Sequence, residues 1–292
     1  MAGREHASIG AVAILPYGTR VDWRLAMTPL DALRWPLGRP GRLIHGTVAD
    51  LEASDHLLCY PTSRLLYMPR PGVRAKVSVM IVEPAAVHGR NMAWLRVLHR
   101  RFYRVLTSNT PLLCAIPNGR LHLFGSSWIP DWRTIDIVKT RQASLIASAK
   151  TYYEGHKLRH RVVDWVRNNG ADVDILGRGY KPFEHKADGL APYRYSVVIE
   201  NVREENLFTE KLVDCLLCET VPIYWGAPNA GDLFDARGMI LCDTFDDIAA
   251  ALQTMSEGDY SARLEFVRQN REKAAQFADH EANAARILAE EA

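Results

Sequence analysis

Two apolar runs, separated by a polar stretch and a helical pattern, dominate the second half of the chain. Ser196–Ile199 and Val221–Trp225 each have the length and composition of a buried strand, and a helix is predicted to begin near Thr209. The first strand ends at Glu200-Asn201 and the second at Gly226-Ala227. This β-α-β pattern therefore places polar and small residues at the carboxyl ends of parallel strands, where open α/β sheets bind ligands.

The predicted start of the helix has the character of an anion site. The string Phe208-Thr209-Glu210-Lys211 supplies free backbone N–H groups beside a lysine. Because these N–H groups and the helix dipole both favour negative charge, a phosphate is the ligand that fits this position best.

The rest of the second half also alternates between strands and helices. Strands are predicted at Ala143–Ala147, Val173–Leu176 and Met239–Cys242, and helices at His160–Asn168 and Tyr260–Ala289. Such alternation favours a parallel, Rossmann-like sheet.

The first half is less regular and contains many prolines. Its apolar stretches are Ile9–Leu15, Leu57–Tyr60, Val77–Val82 and Leu112–Ile116. A helix is predicted over Met92–Val105, because Trp94, Leu98, Phe102 and Val105 recur at helical spacing. The change in texture puts a domain boundary near Lys139-Thr140 and predicts an α/β protein with domains at 1–139 and 140–292.

Composition narrows the class of protein. A net charge of +2 argues against a dedicated nucleic-acid binder, which usually has a strong basic excess. The five cysteines are scattered and odd in number, so reduced thiols in a cytoplasmic protein are expected. We read no signal peptide in Met1–Ile14 and no apolar run of the ~20 residues that a membrane span needs.

The central block also resembles a known family. Ile199-Glu200-Asn201, then Thr209-Glu210-Lys211-Leu212, then Val221-Pro222-Ile223-Tyr224-Trp225-Gly226, is similar to the donor-site signature of glycosyltransferase family 10, the α-1,3/4-fucosyltransferases. That signature has a Phe-Glu-Asn strand end, a Thr-Glu-Lys-Leu helix start and a Val-Pro strand. Asn201 and Glu210 have the expected spacing.

The resemblance implies the GT-B architecture, in which two Rossmann-like domains face each other across a cleft. Residues 140–292 would bind the nucleotide-sugar donor, and residues 1–139 would form the acceptor side. The expected reaction is transfer of L-fucose from GDP-fucose to a saccharide hydroxyl with inversion, with no cofactor or metal required. A bacterial-type cytoplasmic enzyme is the form of the family that fits a chain without an anchor.

Two cations are candidates for stabilising the diphosphate. Lys211 lies in the first turn of a helix, where a cation opposes the helix dipole unless an anion binds there. The resemblance places a phosphate-binding arginine at the start of another helix, which corresponds to Arg159, and a guanidinium can contact two phosphate oxygens at once. Arg161 is the alternative.

Three further residues of the signature are expected to bind the donor. Asn201 can donate to a phosphate and accept from a hydroxyl, whereas in isolation it could simply be a turn residue. Glu210 resembles the family's donor-binding glutamate, and as a first-turn glutamate it also complements the helix dipole. Thr209 precedes it at the start of the helix. Where the family often has tyrosine, this chain has Leu207.

The candidate base is Glu83, which follows the apolar stretch Val77–Val82 and precedes Pro84. The resemblance implies a catalytic glutamate before a proline-containing loop of the first domain. A carboxylate leaving a buried strand can have a raised pKa, which suits proton abstraction near neutral pH. His88 is the alternative base.

Other motifs favour structural roles. Asp172 and Asp174 lead into a strand, and Cys215 and Cys218 have no second ligand pair at zinc spacing, so we interpret them as structural residues and core thiols. Tyr193 and Tyr195 are also expected in the core. The basic residues of the predicted Met92–Val105 helix and its flank form a solvated face that could also contact an anionic membrane: Arg90, Arg96, His99, Arg100, Arg101 and Arg104.

Two other functions stay open at this level. A transferase that uses another nucleotide sugar would have the same phosphate ligands, and a non-catalytic nucleotide-sugar-binding module would need no base.

Overall fold

The chain folds as two compact units, each built around its own parallel sheet. The computed structural model describes residues 10–291 of the 292. Of these residues, 10–122 and 280–291 form the first unit, and Leu123–Asp279 form the second. The prediction of an α/β protein is therefore confirmed, with two parallel sheets as expected for two Rossmann-like domains.

The first unit contains five short strands in the order β1-β2-β3-β4-β5, all parallel. They are β1 (Val12–Ile14), β2 (His56–Cys59), β3 (Lys76–Met80), β4 (Val105–Thr107) and β5 (Gly119–Leu121). Its first three helices are α1 (Ser63–Tyr67), α2 (Ala85–Leu98) and α3 (Thr110–Ala115). Strands β1 to β4 are almost entirely buried, as expected of parallel strands covered on both faces.

The second unit contains five parallel strands in the order β10-β9-β8-β6-β7. They are β6 (Arg141–Ile146), β7 (Val173–Leu176), β8 (Tyr193–Ile199), β9 (Val221–Trp225) and β10 (Ile240–Leu241). Its helices are α4 (Glu154–Asn169), α5 (Glu210–Leu217), α6 (Ala230–Leu233), α7 (Phe245–Thr254) and α8 (Glu257–Ala275). The β8-α5-β9 unit confirms the predicted central block, and β8 pairs with β9 from Tyr195 to Ile199.

The helix predicted over Met92–Val105 is wrong in its bounds. Helix α2 begins directly after Pro84 and ends at Leu98, and Val105 begins strand β4. The apolar spacing misled because Trp94 is about half exposed, whereas the buried residues of α2 are Met92 and Leu95. Trp94 and Leu98 belong to α2, whereas Phe102 and Val105 lie beyond its end, so the four residues do not share one helical face.

The predicted basic face is also not one open surface. Arg101 donates to the Met68 carbonyl at 2.7 Å. Arg104 forms an ion pair with Glu291 and its guanidinium stacks on the Tyr103 ring. These two arginines make contacts within the first unit, so the structure lends no support to a membrane-contacting row.

The single terminal helix predicted over Tyr260–Ala289 is wrong. Helix α8 ends at Ala275, and a separate helix, α9 (His280–Glu290), follows. Phe277 lies in the break, where its ring packs against Phe208 and Phe234 with centroids 5.1 and 5.9 Å apart. This partly buried ring packs on the apolar cluster of the second unit at the point where the helical pattern ends.

The two units divide the chain at different places from the predicted domains 1–139 and 140–292. Residues 123–139 belong to the second unit because Ile129 is buried there and Lys139 donates to the Cys218 carbonyl at 2.7 Å. Helix α9 belongs to the first unit, where Glu281 accepts hydrogen bonds from Arg34 and Tyr60 at 2.9 and 2.8 Å.

Among the helices of residues 10–291, none has the length and apolar character required to cross a bilayer. Ile9 and most of the Met1–Ile14 segment considered for a signal peptide lie outside the described residues.

Candidate functional site

A glycine brings the start of helix α4 against the carboxyl end of strand β8. A Cβ atom on Gly155 would lie 1.7 Å from the Glu200 carbonyl oxygen, so only glycine permits this approach. The Gly155 N–H donates to the Asn201 carbonyl at 3.0 Å. The close contact places the first turn of α4 beside the strand end that the sequence marks as a ligand site.

Arg159 lies one turn further along α4 and is buried, at 6% exposure. Its Nε and Nη2 donate to the Ile199 carbonyl at 3.1 and 2.8 Å, and Nη2 also donates to Asn201 Oδ1 at 2.8 Å. No atom of residues 10–291 accepts a hydrogen bond from Nη1 of Arg159. One edge of the guanidinium is thus fixed and another is open to an anion.

The structure distinguishes Arg159 from the alternative Arg161. The Arg161 guanidinium lies 3.9 Å from the centroid of the Phe245 ring and is exposed. Only Arg159 of the two contacts Asn201, so these two predicted donor ligands are brought together by the fold.

Thr209 begins helix α5 as its N-cap and is held by a buried carboxylate. Glu200, only 1% exposed, accepts from the Thr209 N–H at 2.8 Å and from the Thr209 hydroxyl at 2.8 Å. The Thr209 hydroxyl oxygen also accepts from the Lys211 N–H at 3.4 Å. Glu200 therefore fixes the start of α5 relative to the end of β8.

Lys211 lies between two carboxylates. Its ammonium group is 3.4 Å from Glu200 Oε2 and 3.1 Å from Glu210 Oε1, and its side chain is 25% exposed. Burial disfavours the charged lysine, but Glu200 and Glu210 outweigh burial, so the pKa of Lys211 is raised. From the sequence, an anionic ligand was expected to offset the unfavourable interaction of the Lys211 cation with the helix dipole. In the structure, the carboxylates of Glu200 and Glu210 already offset it.

A second layer of charge lies further along the same face of α5. Burial raises the pKa of the fully buried Asp214 to about 6, although it accepts hydrogen bonds from the Ser127 hydroxyl at 2.8 Å and the Trp128 N–H at 3.1 Å. Lys186 lies nearby, with its ammonium 5.6 Å from the Trp128 ring centroid. Burial lowers the pKa of Lys186, and the charges of Asp214 and Glu210 oppose that shift.

Trp128 and Lys186 also line a cavity of the second unit that is about 1290 Å³ in volume. Its walls are formed by the segment 128–141 and by the connection between β7 and β8. Trp128 is 64% exposed, so an aromatic face is available beside the charged layer.

The loop between β8 and α5 is anchored at several points. Asn206 has a left-handed backbone, with φ of 62°, and its N–H donates to Asn229 Oδ1 at 2.8 Å. Arg203 forms an ion pair with Asp243. Because both ends of the loop are tied to the second unit, the geometry of the strand end is preorganised.

Glu83 lies in the first unit between β3 and the Pro84 cap of helix α2. It is half-buried, and its charge adds to the burial that raises the pKa of Tyr17. His88, the alternative base, is within α2, where burial lowers its pKa and Nδ1 has no hydrogen-bond partner among the described residues.

The motifs interpreted as structural have structural contacts. Asp174 forms an ion pair with Arg141 at 2.7 Å and accepts from the Tyr193 hydroxyl at 2.7 Å. Cys215 and Cys218 are fully buried free thiols, as predicted. Across residues 10–291, no three His, Cys, Asp or Glu side chains are grouped as metal ligands would be.

Sequence reasoning missed three members of this site. Glu200 is treated in the sequence analysis only as a strand-end residue. Its place between a buried strand and a Thr-Glu-Lys helix start is the signal that it could accept hydrogen bonds from Thr209. Lys186 and Asp214 have no local signal, because their proximity depends on how the β7–β8 connection packs on α5.

Known proteins resemble both the sequence and the fold of this chain. The family model described as glycosyltransferase family 10 (fucosyltransferase) C-term matches residues 138–283, half of the chain. The α-(1,3)-fucosyltransferase FucT of Helicobacter pylori is 27% identical over 90 residues, which is 31% of this chain and 18% of that protein. The chain thus matches well under two thirds of this curated relative.

Solved structures share the fold at low sequence identity. A crystal structure of α1,3-fucosyltransferase with GDP matches with a TM-score of 0.50 and 15% identity over 80% of this chain and 77% of that chain. TarM from S. aureus matches with a TM-score of 0.57 and 12% identity over 82% of this chain and 55% of that one. These likenesses show the GT-B fold. The family model, which covers half of the chain, shows that the chain belongs to glycosyltransferase family 10, the fucosyltransferases.

Proposed function

We propose that this protein is an inverting fucosyltransferase that transfers L-fucose from GDP-fucose to a hydroxyl of a saccharide acceptor. The observation that carries the proposal is the fixed pair of Arg159 and Asn201 at the carboxyl end of β8, beside the start of α5. This arrangement lies within the residues that match the fucosyltransferase family.

The donor diphosphate is proposed to bind between the first turns of α4 and α5. Arg159 offers its open Nη1 edge, and Asn201 is held so that its amide group can contact a phosphate or a hydroxyl. Lys211 supplies positive charge that Glu200 and Glu210 position, while Thr209 and Glu210 contribute hydroxyl and carboxylate groups for the sugar or ribose. Both helix N-termini favour the anion.

In the proposed reaction, Glu83 removes the proton from the acceptor hydroxyl. The hydroxyl oxygen then forms a bond to the anomeric carbon from the face opposite GDP, while the bond from that carbon to the phosphate oxygen breaks. GDP leaves with the electron pair, and Arg159 and Lys211 stabilise its charge, which is usually the largest catalytic contribution. No metal or cofactor is required in this scheme.

Binding and turnover measurements test the proposal together. GDP and GDP-fucose should raise the melting temperature more than UDP at equal concentration, because the ligand that binds the folded state more tightly stabilises it more. GDP should be released from GDP-fucose when a saccharide acceptor is present and fucose can be transferred to it. This release should continue when EDTA is added. A preference for UDP would indicate another nucleotide sugar, and GDP binding without transfer to any acceptor tested would indicate a non-catalytic binding module.

A further inference from the structure

His156 lies in the first turn of α4 with one nitrogen occupied and the other open. The residue is 4% exposed, and its Nδ1 accepts a hydrogen bond from the Tyr153 N–H at 3.3 Å. Because Nδ1 acts as the acceptor, the proton of the neutral ring must reside on Nε2, which is then a donor.

No atom of the described part of the chain accepts a hydrogen bond from Nε2 of His156. This nitrogen keeps some contact with solvent, unlike both ring nitrogens of the buried His56. Buried polar groups are normally paired, so an open donor on a side chain this buried points to a ligand.

The surroundings of His156 define the charge of that ligand. The ring lies at the N-terminus of a helix of 16 residues, three positions before Arg159, on the same face of α4. Burial and the positive charges of Arg159, Lys150 and Lys211 together lower the pKa of His156 to about 4. A neutral N–H donor among cations at a helix N-terminus suits an anion.

We propose that His156 donates its Nε2–H to a phosphate oxygen of the nucleoside diphosphate, as a third ligand beside Arg159 and the start of α5. This inference rests on the proposed function, because it assigns a further residue to the same donor site. The neutral histidine adds a hydrogen bond without adding charge, in a site where Arg159 already supplies a cation.

Two substitutions separate the ligand role from the capping role. Both His156→Gln and His156→Glu can accept from the Tyr153 N–H, as glutamine and glutamate commonly do at this helix position. Glutamine still offers an N–H donor, whereas glutamate presents a negative charge to the phosphate. His160→Gln is the matched control, since both nitrogens of His160 are already within hydrogen-bond distance of Tyr180 and of the Lys150 carbonyl.

Calorimetry with GDP, guanosine and pyrophosphate gives the readout. His156→Glu should weaken the binding of GDP and of pyrophosphate by about 10- to 100-fold, because one hydrogen bond to a charged group is lost. Its affinity for guanosine should equal that of the parent. His156→Gln and His160→Gln should stay within about threefold of the parent, and all variants should keep the parent's melting temperature to within a few degrees.

Three outcomes would overturn the inference. His156→Glu could bind GDP as tightly as the parent, or it could lose the same factor in affinity for guanosine as for GDP. The third outcome is that the parent binds neither pyrophosphate nor any nucleoside diphosphate. A parent that preferred UDP would instead refute the proposed GDP-fucose donor. The histidine would then be tested with UDP and uridine by the same criteria.

Discussion

At the scale of single residues, Asp214 is a carboxylate of the candidate site whose charged form is disfavoured by burial. The carboxylate is fully buried on α5 and accepts from Ser127 and Trp128, yet burial raises its pKa to about 6. In the unfolded chain an aspartate has a pKa of about 3.9. The folded state therefore holds a proton more tightly, and the free energy of unfolding should fall as pH rises from about 4 to about 6.

Asp214→Asn removes this titration and keeps an oxygen that can accept from the Trp128 N–H. Relative to the parent, the variant should gain stability from pH 4 to pH 6, by about 1–3 kcal/mol in total, and the difference should be constant above pH 7. Denaturant unfolding of both proteins across this pH range measures it. A difference that did not change with pH would contradict the raised pKa.

At the proposed donor site, the sequence predicts which residues lie close together, but it does not predict how they pair. The signature marked Asn201, Thr209, Glu210 and Lys211 as neighbours of a strand end, and the structure brings them there with Arg159. That Glu200 and Glu210 both flank the Lys211 ammonium is a tertiary contact, set by the angle at which α5 leaves β8. Spacing along the chain does not specify that angle.

At the scale of elements, the contact between α4 and the end of β8 determines the site. A side chain on Gly155 would overlap the backbone of Glu200, with a Cβ also 2.9 Å from the Glu200 carbonyl carbon. Because backbone atoms line this contact, relief requires the helix to move away from the strand. Arg159 would move with it and lose its bonds to Ile199 and Asn201.

Gly155→Ala should therefore lower the free energy of unfolding by about 1–3 kcal/mol, the usual cost of overpacking, and should also weaken GDP binding. The control is Gly89→Ala in helix α2, where no heavy atom lies within 4 Å of the added Cβ. That change should stabilise by about 0.5–1 kcal/mol, since alanine favours helix interiors. Denaturant unfolding and GDP titration of both variants provide the comparison. If Gly155→Ala and Gly89→Ala changed the free energy of unfolding and the GDP affinity equally, the contact at Gly155 would not be tight.

Element prediction succeeded where local pattern and tertiary packing agree. Strands Val173–Leu176 and Val221–Trp225 match their predicted bounds, and in both cases a glycine follows the last residue of the strand. Helix α7 was missed, although Thr244 caps it by accepting from the Asp247 N–H at 3.2 Å and Ile248, Ala251 and Leu252 form its buried face. The break after Ala275 could not be found locally, since Phe277 in that break makes tertiary contacts with Phe208 and Phe234 that the local sequence does not specify.

At the scale of the whole molecule, the proposed chemistry uses residues from both units. Glu83 belongs to the first unit, whereas Arg159, Asn201 and Lys211 belong to the second. The family resemblance predicted this division of labour, while the return of α9 to the first unit has no counterpart in local sequence pattern. Separate units allow the base and the donor ligands to be tested independently.

Glu83→Gln keeps the side-chain volume and removes the proton acceptor, so turnover should fall by roughly 10²–10⁴-fold. GDP affinity should stay near the parent value, because the proposed diphosphate ligands all lie in the second unit. Lys211→Ala leaves Glu200 and Glu210 without their cation beside the phosphate, so both GDP affinity and turnover should fall. We expect a loss of about 1.5–3 kcal/mol in binding for that variant.

The test is to measure the GDP dissociation constant and the turnover number of Glu83→Gln and of Lys211→Ala, and to compare each with the value of the parent. If Glu83→Gln turned over normally while His88→Gln did not, the base would be His88, the alternative within α2. If Lys211→Ala bound GDP as tightly as the parent, the diphosphate would not lie at the start of α5. The expected pattern, turnover loss alone for one variant and loss of both quantities for the other, follows only if the two units have separate roles.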